Sequence, residues 1–318
     1  MHVAFLSPRA GVVALAVVVP LAAYAAARAR DARTRATLGV RAPALVPALA
    51  PAAALVLTLA LVGVAAAQPV IQHGVPKRAR TDAQVYVVFD ISRSMSAAPA
   101  AHEPDRLDRA KRFALSLRAR LANVPVGVAS LTDRVLPLQF PSVDAGSFAS
   151  VVRRAVQVDE PAPQRYYTGR ATSFGALQQF ADEYYFDASA RRRALVVLTD
   201  GETLPLASSL AAALQKARIR VVFVDVGDPS DRVWTTSLPD PNYRPDPNSG
   251  ATLERIASTL HGSSVGEDEV GRAAAATTAA LGRGPVAKLQ EPARVALMPW
   301  VTLASFLPLG FLIWRRNQ

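Results

Sequence analysis

Hydrophobic positions fall into two patterns along this chain, long uncharged runs near its ends and short apolar runs through its middle. Residues 10–27 carry no charge. As a helix they would rise about 27 Å, close to the roughly 30 Å hydrocarbon core of a bilayer. Arg28, Arg30, Arg33, Arg35 and Arg41 follow, diluted only by Asp31. A second uncharged run, 42–71, is too long for one unbroken crossing and has Pro43, Pro47 and Pro51 at its start. Its membrane span is therefore placed at 51–70. A third run, 295–314, is followed at once by Arg315 and Arg316. The chain thus reads as two N-terminal membrane helices, at about 10–28 and 51–70, and a C-terminal one at about 295–314. A cleaved leader is the alternative for the first run. Only Arg9 precedes it, however, and cleavage would leave the arginine loop outside. Loop and tail share one side, so the positive-inside rule expects both in the cytoplasm and the long middle domain outside. Lys77, Arg78 and Arg80, just past the second span, pull against that orientation.

Residues 72–83 read as a short polar stem. From there to about 283, short apolar runs alternate with amphipathic stretches, the signature of a parallel sheet flanked by helices. Val85–Phe89 and Ala194–Leu198 are continuous apolar runs, as expected of strands buried on both faces. Leu107, Ala110, Ala114, Leu117 and Leu121 repeat at helical spacing behind Pro104-Asp105, with Arg106, Arg109, Arg112 and Arg120 expected on the other face. Runs 126–131 and 134–140 flank a tight Thr132-Asp133 turn and must pair antiparallel, because the connection is too short for a crossover. Helices are expected at 147–156, from Thr172-Ser173, and at 207–216, 251–260 and 268–281. Further strands are expected at 219–226 and 263–265, with a long Pro/Asp/Asn loop over 228–250.

With 318 residues, the chain suits one domain of about 200 residues plus membrane segments. Its net charge is +11, yet the arginines are scattered and nowhere alternate with aromatics, so nucleic acid is not an expected partner. Cysteine is absent, which excludes disulfides, thiolate catalysis and Cys-ligated metals. The histidines (His2, His73, His102, His261) are isolated, and no phosphate loop, nucleophile elbow or zinc-protease motif is present.

One stretch carries chemistry. The strand at 85–89 ends in Asp90, Ser92 and Ser94, a carboxylate and two hydroxyls at alternating positions beyond the carboxyl end of a buried strand, where open α/β sheets place their ligand sites. Such hard oxygen donors suit Mg²⁺ or Mn²⁺ and suit zinc poorly. Thr172, after a glycine-containing loop, and Asp200, at the end of the strand at 194–198, can converge on the same rim. Asp225 also ends a strand and reads as a loop hydrogen-bonder. Asp240, Asn242, Asp246 and Asn248 hint at a calcium loop, but prolines break the spacing. Tyr166-Tyr167 and Tyr184-Tyr185 read as packing or as a binding face.

Asp90-x-Ser92-x-Ser94, then Thr172, then Asp200 in Thr199-Asp200-Gly201 resembles the von Willebrand factor A domain and its metal-ion-dependent adhesion site over about 84–283. The resemblance implies a doubly wound, Rossmann-like, mostly parallel six-stranded sheet. It also implies that Asp90, Ser92, Ser94, Thr172 and Asp200 hold Mg²⁺ or Mn²⁺, the carboxylates directly or through water. A metal so held favours one more anionic oxygen, typically an acidic side chain of a protein partner. Arg93 stands where many members have glycine, and is expected to point away from the metal and place positive charge beside the bound ligand. The three-span layout and the Phe5-Leu6-Ser7-Pro8 start look like the bacterial aerotolerance-operon (Bat-type) membrane proteins. That resemblance implies a non-enzymatic interaction or assembly module, alongside other Bat-type proteins and a MoxR-type AAA+ ATPase. Alanine- and arginine-rich usage points to a high-GC bacterium. The alternative is a metal-dependent phosphoester hydrolase on the same rim, but no nucleophile or base stands out beyond the ligands. A pore-forming subunit would want more polar residues in its spans than Thr58, Thr302 and Ser305.

Overall fold

The computed structural model describes residues 2–39, 45–164 and 172–316, and Tyr166 and Tyr167 lie outside them. The chain divides into two compact units, residues 1–75 with 290–318, and residues 76–289.

The first unit is mainly helical, with a short strand at His2–Phe5. Among the described residues it contains three helices long and apolar enough to cross a membrane, Pro8–Leu38, Leu49–Ala66 and Met298–Arg315. Gly63 permits close packing of the first two, since a Cβ there would lie 2.5 Å from that of Ala14. Thr58 and Thr302 donate their hydroxyls to carbonyls one turn back, at 2.8 and 2.9 Å, so these polar groups are satisfied within their own helices. Several span boundaries differ from the sequence expectation: the first helix runs on through Arg28, Arg30, Arg33 and Arg35 to Leu38, and the second begins at Leu45. The second helix stops at Ala66, and Pro69 and Val70 open a strand, Pro69–Arg80, across the stretch read as a stem. Val295 and Ala296 likewise close a strand, Val286–Ala296, and the third helix starts only at Met298. Uncharged length marks the span but does not separate helix from the β-branched residues that follow it.

The second unit is built on a six-stranded sheet. In chain order its strands are β1 Ala83–Asp90, β2 Val126–Leu131, β3 Val135–Ser142, β4 Arg192–Thr199, β5 Ile219–Asp225 and β6 Ser263–Gly266. Their order across the sheet is β6-β5-β4-β1-β2-β3, and only the β2–β3 pair is antiparallel. Alternation along β1 explains its apolar run. Val85, Val87 and Phe89 enter the core on one face, while Tyr86 and Val88 enter the core on the other. Helices cover both faces. Helix α1, Arg106–Arg120, is capped by Asp105, whose carboxylate accepts the Asp108 N–H at 2.7 Å. It buries Leu107, Ala110, Phe113, Ala114 and Leu117 against one face with helix Val270–Leu281.

Most expected elements lie within two or three residues of their places. Two differ more. The helix expected from Thr172 is a 3₁₀ turn, Phe174–Gln178, followed by one short α-turn, Gln179–Asp182, which leaves Thr172 in a loop. The long loop at 228–250 contains short strands, Arg232–Thr235 and Leu238–Pro239, and the first of them pairs with Ala97–Ala98. Strands of two to four residues fall below what period-two patterning can reveal.

Candidate metal centre at the sheet's switch point

The chain leaves β1 toward β2 and β3, then returns to add β4 on the opposite side. The crevice beyond the carboxyl ends of β1 and β4 is therefore the topological switch point. Asp90 ends β1, and Asp200 follows the last residue of β4.

Asp90 is fully buried and surrounded by donors. Its Oδ1 accepts the Ser92 N–H at 3.0 Å and the Thr172 hydroxyl at 2.8 Å, and its Oδ2 accepts the Thr199 hydroxyl at 2.7 Å. The Ser92 and Ser94 hydroxyls lie 3.0 Å apart. Thr172 is fixed from behind, its carbonyl accepting the Leu204 N–H at 3.0 Å, while the Ser173 N–H donates to the Thr132 carbonyl at 2.9 Å. Four of the five residues read from the sequence thus form one hydrogen-bonded cluster. Thr199 belongs to it and was overlooked, although its place beside Asp200 at the end of an apolar strand was the available signal. Burial, and then the charge of Asp200, push the Asp90 carboxyl well above the usual carboxylate range.

Asp200 stands beside this cluster but is engaged elsewhere. Its Oδ1 accepts the Glu202 N–H at 3.0 Å, and its Oδ2 accepts Nη1 of Arg106 at 2.8 Å. Gly201 makes this turn possible, because its φ is +74° and a Cβ would lie 2.7 Å from the Ser249 carbonyl oxygen.

Arg106, expected on the solvent face of α1, is only 3% exposed. Besides Asp200 it donates to Asp231 Oδ2 at 3.2 Å, the Tyr243 hydroxyl at 2.9 Å and the Asp228 carbonyl at 3.1 Å. Burial works against its charge, and Asp200, Tyr243, Glu202 and Asp231 together more than restore it. The Tyr243 hydroxyl donates in turn to Glu202 at 2.7 Å. The 228–250 segment is thereby strapped to the rim. Arg93 is strapped to it as well, by an ion pair with Asp240, so its charge is met within the chain and not offered freely beside a ligand. Asp240 and Asp246 accept the N–H groups of Asn242 and Asn248, which makes them turn residues and not a calcium loop. Tyr184 is exposed and Tyr185 packs edge-on against Phe180.

A family model, the von Willebrand factor type A domain, matches residues 84–258, more than half of the sequence. The chain belongs to the von Willebrand factor type A family. Among solved structures, an aerotolerance-related membrane protein from Bacteroides fragilis is similar at 22% identity and TM-score 0.49, over 63% of this chain and 98% of its own. BatB from Bacteroides thetaiotaomicron is similar at 20% identity and TM-score 0.48, over 62% of this chain and 99% of its own. The manganese-loaded TRAP protein of Plasmodium vivax is similar at 12% identity and TM-score 0.42, over 70% and 82%. No curated protein matches the sequence.

The donors gathered at this von Willebrand factor type A rim are carboxylate and hydroxyl oxygens, a set that fits a hard divalent cation. Among the described residues, no group of three or more His, Asp or Glu side chains could by itself hold a metal, so the hydroxyls are essential to the donor set at this rim.

Asp225, expected as a loop hydrogen-bonder, makes no side-chain hydrogen bond among the described residues. Burial, and then Asp200, push its pKa up to about 6. A carboxyl raised in the folded state favours folding at low pH. Its contribution is fully present below about pH 4 and is lost as the pH rises through about 6. Asp225→Asn is therefore expected to stabilise the cation-free protein at pH 7 by about 1 kcal/mol, a figure discounted for partial exposure to water. The gain should vanish near pH 4 in thermal unfolding curves of the detergent-solubilised chain, whereas an equal shift at both values would contradict it.

Proposed function

We propose that this von Willebrand factor type A protein is a membrane-anchored, metal-ion-dependent module for protein interaction or assembly. Asp90, Ser92, Ser94, Thr172 and Asp200 would hold Mg²⁺ or Mn²⁺. The observation that carries this reading is the convergence of the Ser92 amide and the Thr172 and Thr199 hydroxyls on the buried Asp90 carboxylate at the switch point. Bound there, a divalent cation supplies affinity for one further carboxylate oxygen, which suits an acidic side chain of a protein partner. The protein's own part is to preorganise that rim. Thr172 and Thr199 orient Asp90 from both sides, and the Thr132 and Leu204 backbone groups hold the Thr172 loop in place. Because Asp90 favours its proton, proton and cation compete for the same oxygens, and binding should weaken as the pH falls below about 7.

The three apolar helices support integral membrane anchoring. With the arginine cluster at 28–41 and the C-terminal tail in the cytoplasm, the domain is displayed on the extracytoplasmic side of the cell membrane. The resemblance to aerotolerance-operon proteins supports partners of that system, including other Bat-type proteins and a MoxR-type AAA+ ATPase. Cross-linking pull-downs from native membranes test the reading. Partners recovered with Mg²⁺ should disappear with EDTA, and a partner set indifferent to chelation would contradict metal-mediated recognition. Added protease should cut the domain in cells with a permeable outer boundary and an intact cell membrane. Cleavage only after lysis would reverse the orientation.

A further inference from the structure

We propose that Arg106 is a resident counter-cation of the rim, competing with a divalent cation for Asp200. The inference rests on the metal reading above and adds a residue that sets the strength of the site.

Three observations lead to it. Arg106 occupies the first turn of α1, where the helix dipole disfavours a cation, yet it is almost wholly buried. A cation is kept in such a place when acceptors surround it, and here Asp200, Asp231, Glu202, Tyr243 and the Asp228 carbonyl do so. Second, Gly227 has φ +126°, and any Cβ there would collide with the Arg106 side chain, so the backbone beside it is shaped to let the guanidinium pass. Third, both oxygens of Asp200 are engaged, one by the Glu202 N–H and the other by Arg106. The only cationic group that reaches either of these oxygens among the described residues is Arg106.

Arg106 therefore neutralises Asp200 when no other cation does. A divalent cation drawing on Asp200 must either take it from Arg106 or share it across a short gap against like charge. Even with the full screening of bulk water, a +2 and a +1 charge about 6 Å apart repel by a factor of roughly ten in affinity, and a partly desolvated rim raises that factor. The positive charge of Arg106 thus holds the affinity of the rim down. The same guanidinium ties Asp200 to the 228–250 strap through Asp231 and Tyr243, so the strap holds it in the competing position.

The test is calorimetric titration of Mn²⁺ into the detergent-solubilised full chain at pH 8, comparing wild type, Arg106→Gln and Arg106→Lys. Arg106→Gln should bind about tenfold more tightly or better, while Arg106→Lys, which keeps the charge, should stay near wild type. Binding by folded Arg106→Gln at wild-type strength or weaker would overturn the proposal and leave the metal site standing. An absence of binding in all three proteins would overturn the metal site and this inference with it. If Arg106→Gln is unfolded without cation, Mn²⁺ should restore its near-ultraviolet circular dichroism by taking over the charge of Asp200. Failure of that rescue, with wild type binding normally, also overturns the proposal.

Discussion

Asp90→Ala is expected to weaken Mg²⁺ or Mn²⁺ binding by at least about a hundredfold and to leave the fold intact. Loss of an outer-shell partner alone typically costs 10- to 100-fold in metal affinity, and Asp90 is the group on which the rim converges. The fold should survive because opposing effects meet at this residue. Removing Asp90 deprives the Ser92 amide and the Thr172 and Thr199 hydroxyls of their acceptor, at about 1 kcal/mol each. The same change removes a buried carboxylate that already resists ionisation through burial and the nearby charge of Asp200. Net stability of the cation-free protein should therefore change by no more than about 2 kcal/mol. Isothermal titration with Mn²⁺ and thermal unfolding with and without EDTA measure both quantities. The wild type should gain stability on adding cation and the variant should not. An Asp90→Ala protein that binds as the wild type does would place the metal elsewhere.

The largest loss of stability is expected for Arg106→Met, about 3–5 kcal/mol in the absence of divalent cations, the usual cost of removing one partner from a buried ionic cluster. Asp231 is fully buried, and among the described residues its Oδ1 already lacks a partner while its Oδ2 would keep only the Arg109 guanidinium and the Asp228 N–H. Asp200 would lose its counter-charge, and the strap would lose the residue that ties it to the rim. Adding Asp231→Asn should recover part of the loss, because it removes one of the stranded charges. Thermal unfolding of the single and double variants in EDTA measures this coupling. A loss below about 1 kcal/mol, or no recovery in the double variant, would mean that Arg106 is peripheral to the packing of the rim.

The order of strands and helices is visible in the sequence because a parallel sheet covered on both faces needs continuous apolar strands. Val85–Phe89 and Ala194–Leu198 meet that need so fully that few other readings fit them. Asp90, Ser92, Ser94 and Thr172 are legible for a related reason. Oxygen-bearing side chains just past a buried strand have few places to go except the crevice beyond it. Arg106 was not legible. Helical periodicity sorts residues by face, but a first-turn side chain can reach past the end of its helix, and what it reaches here lies far away in sequence, at Asp200, Asp231 and Tyr243. The counter-charge of Arg93 was likewise not legible, since its acidic partner, Asp240, lies far away in sequence in the strap. The strap itself, rich in Pro, Asp and Asn, looks like an open loop because its strands are too short to leave a periodic trace. Its order comes from tertiary pairing with Ala97–Ala98 and from Arg106.

The central claim is that the rim built on Asp90 holds a hard divalent cation. The most direct measurement is anomalous diffraction from crystals of the protein grown with Mn²⁺. A single strong peak within bonding distance of the Ser92 and Ser94 hydroxyls, and absent from Asp90→Ala crystals, is the predicted result. A peak elsewhere on the domain, or none at saturating Mn²⁺, would contradict it.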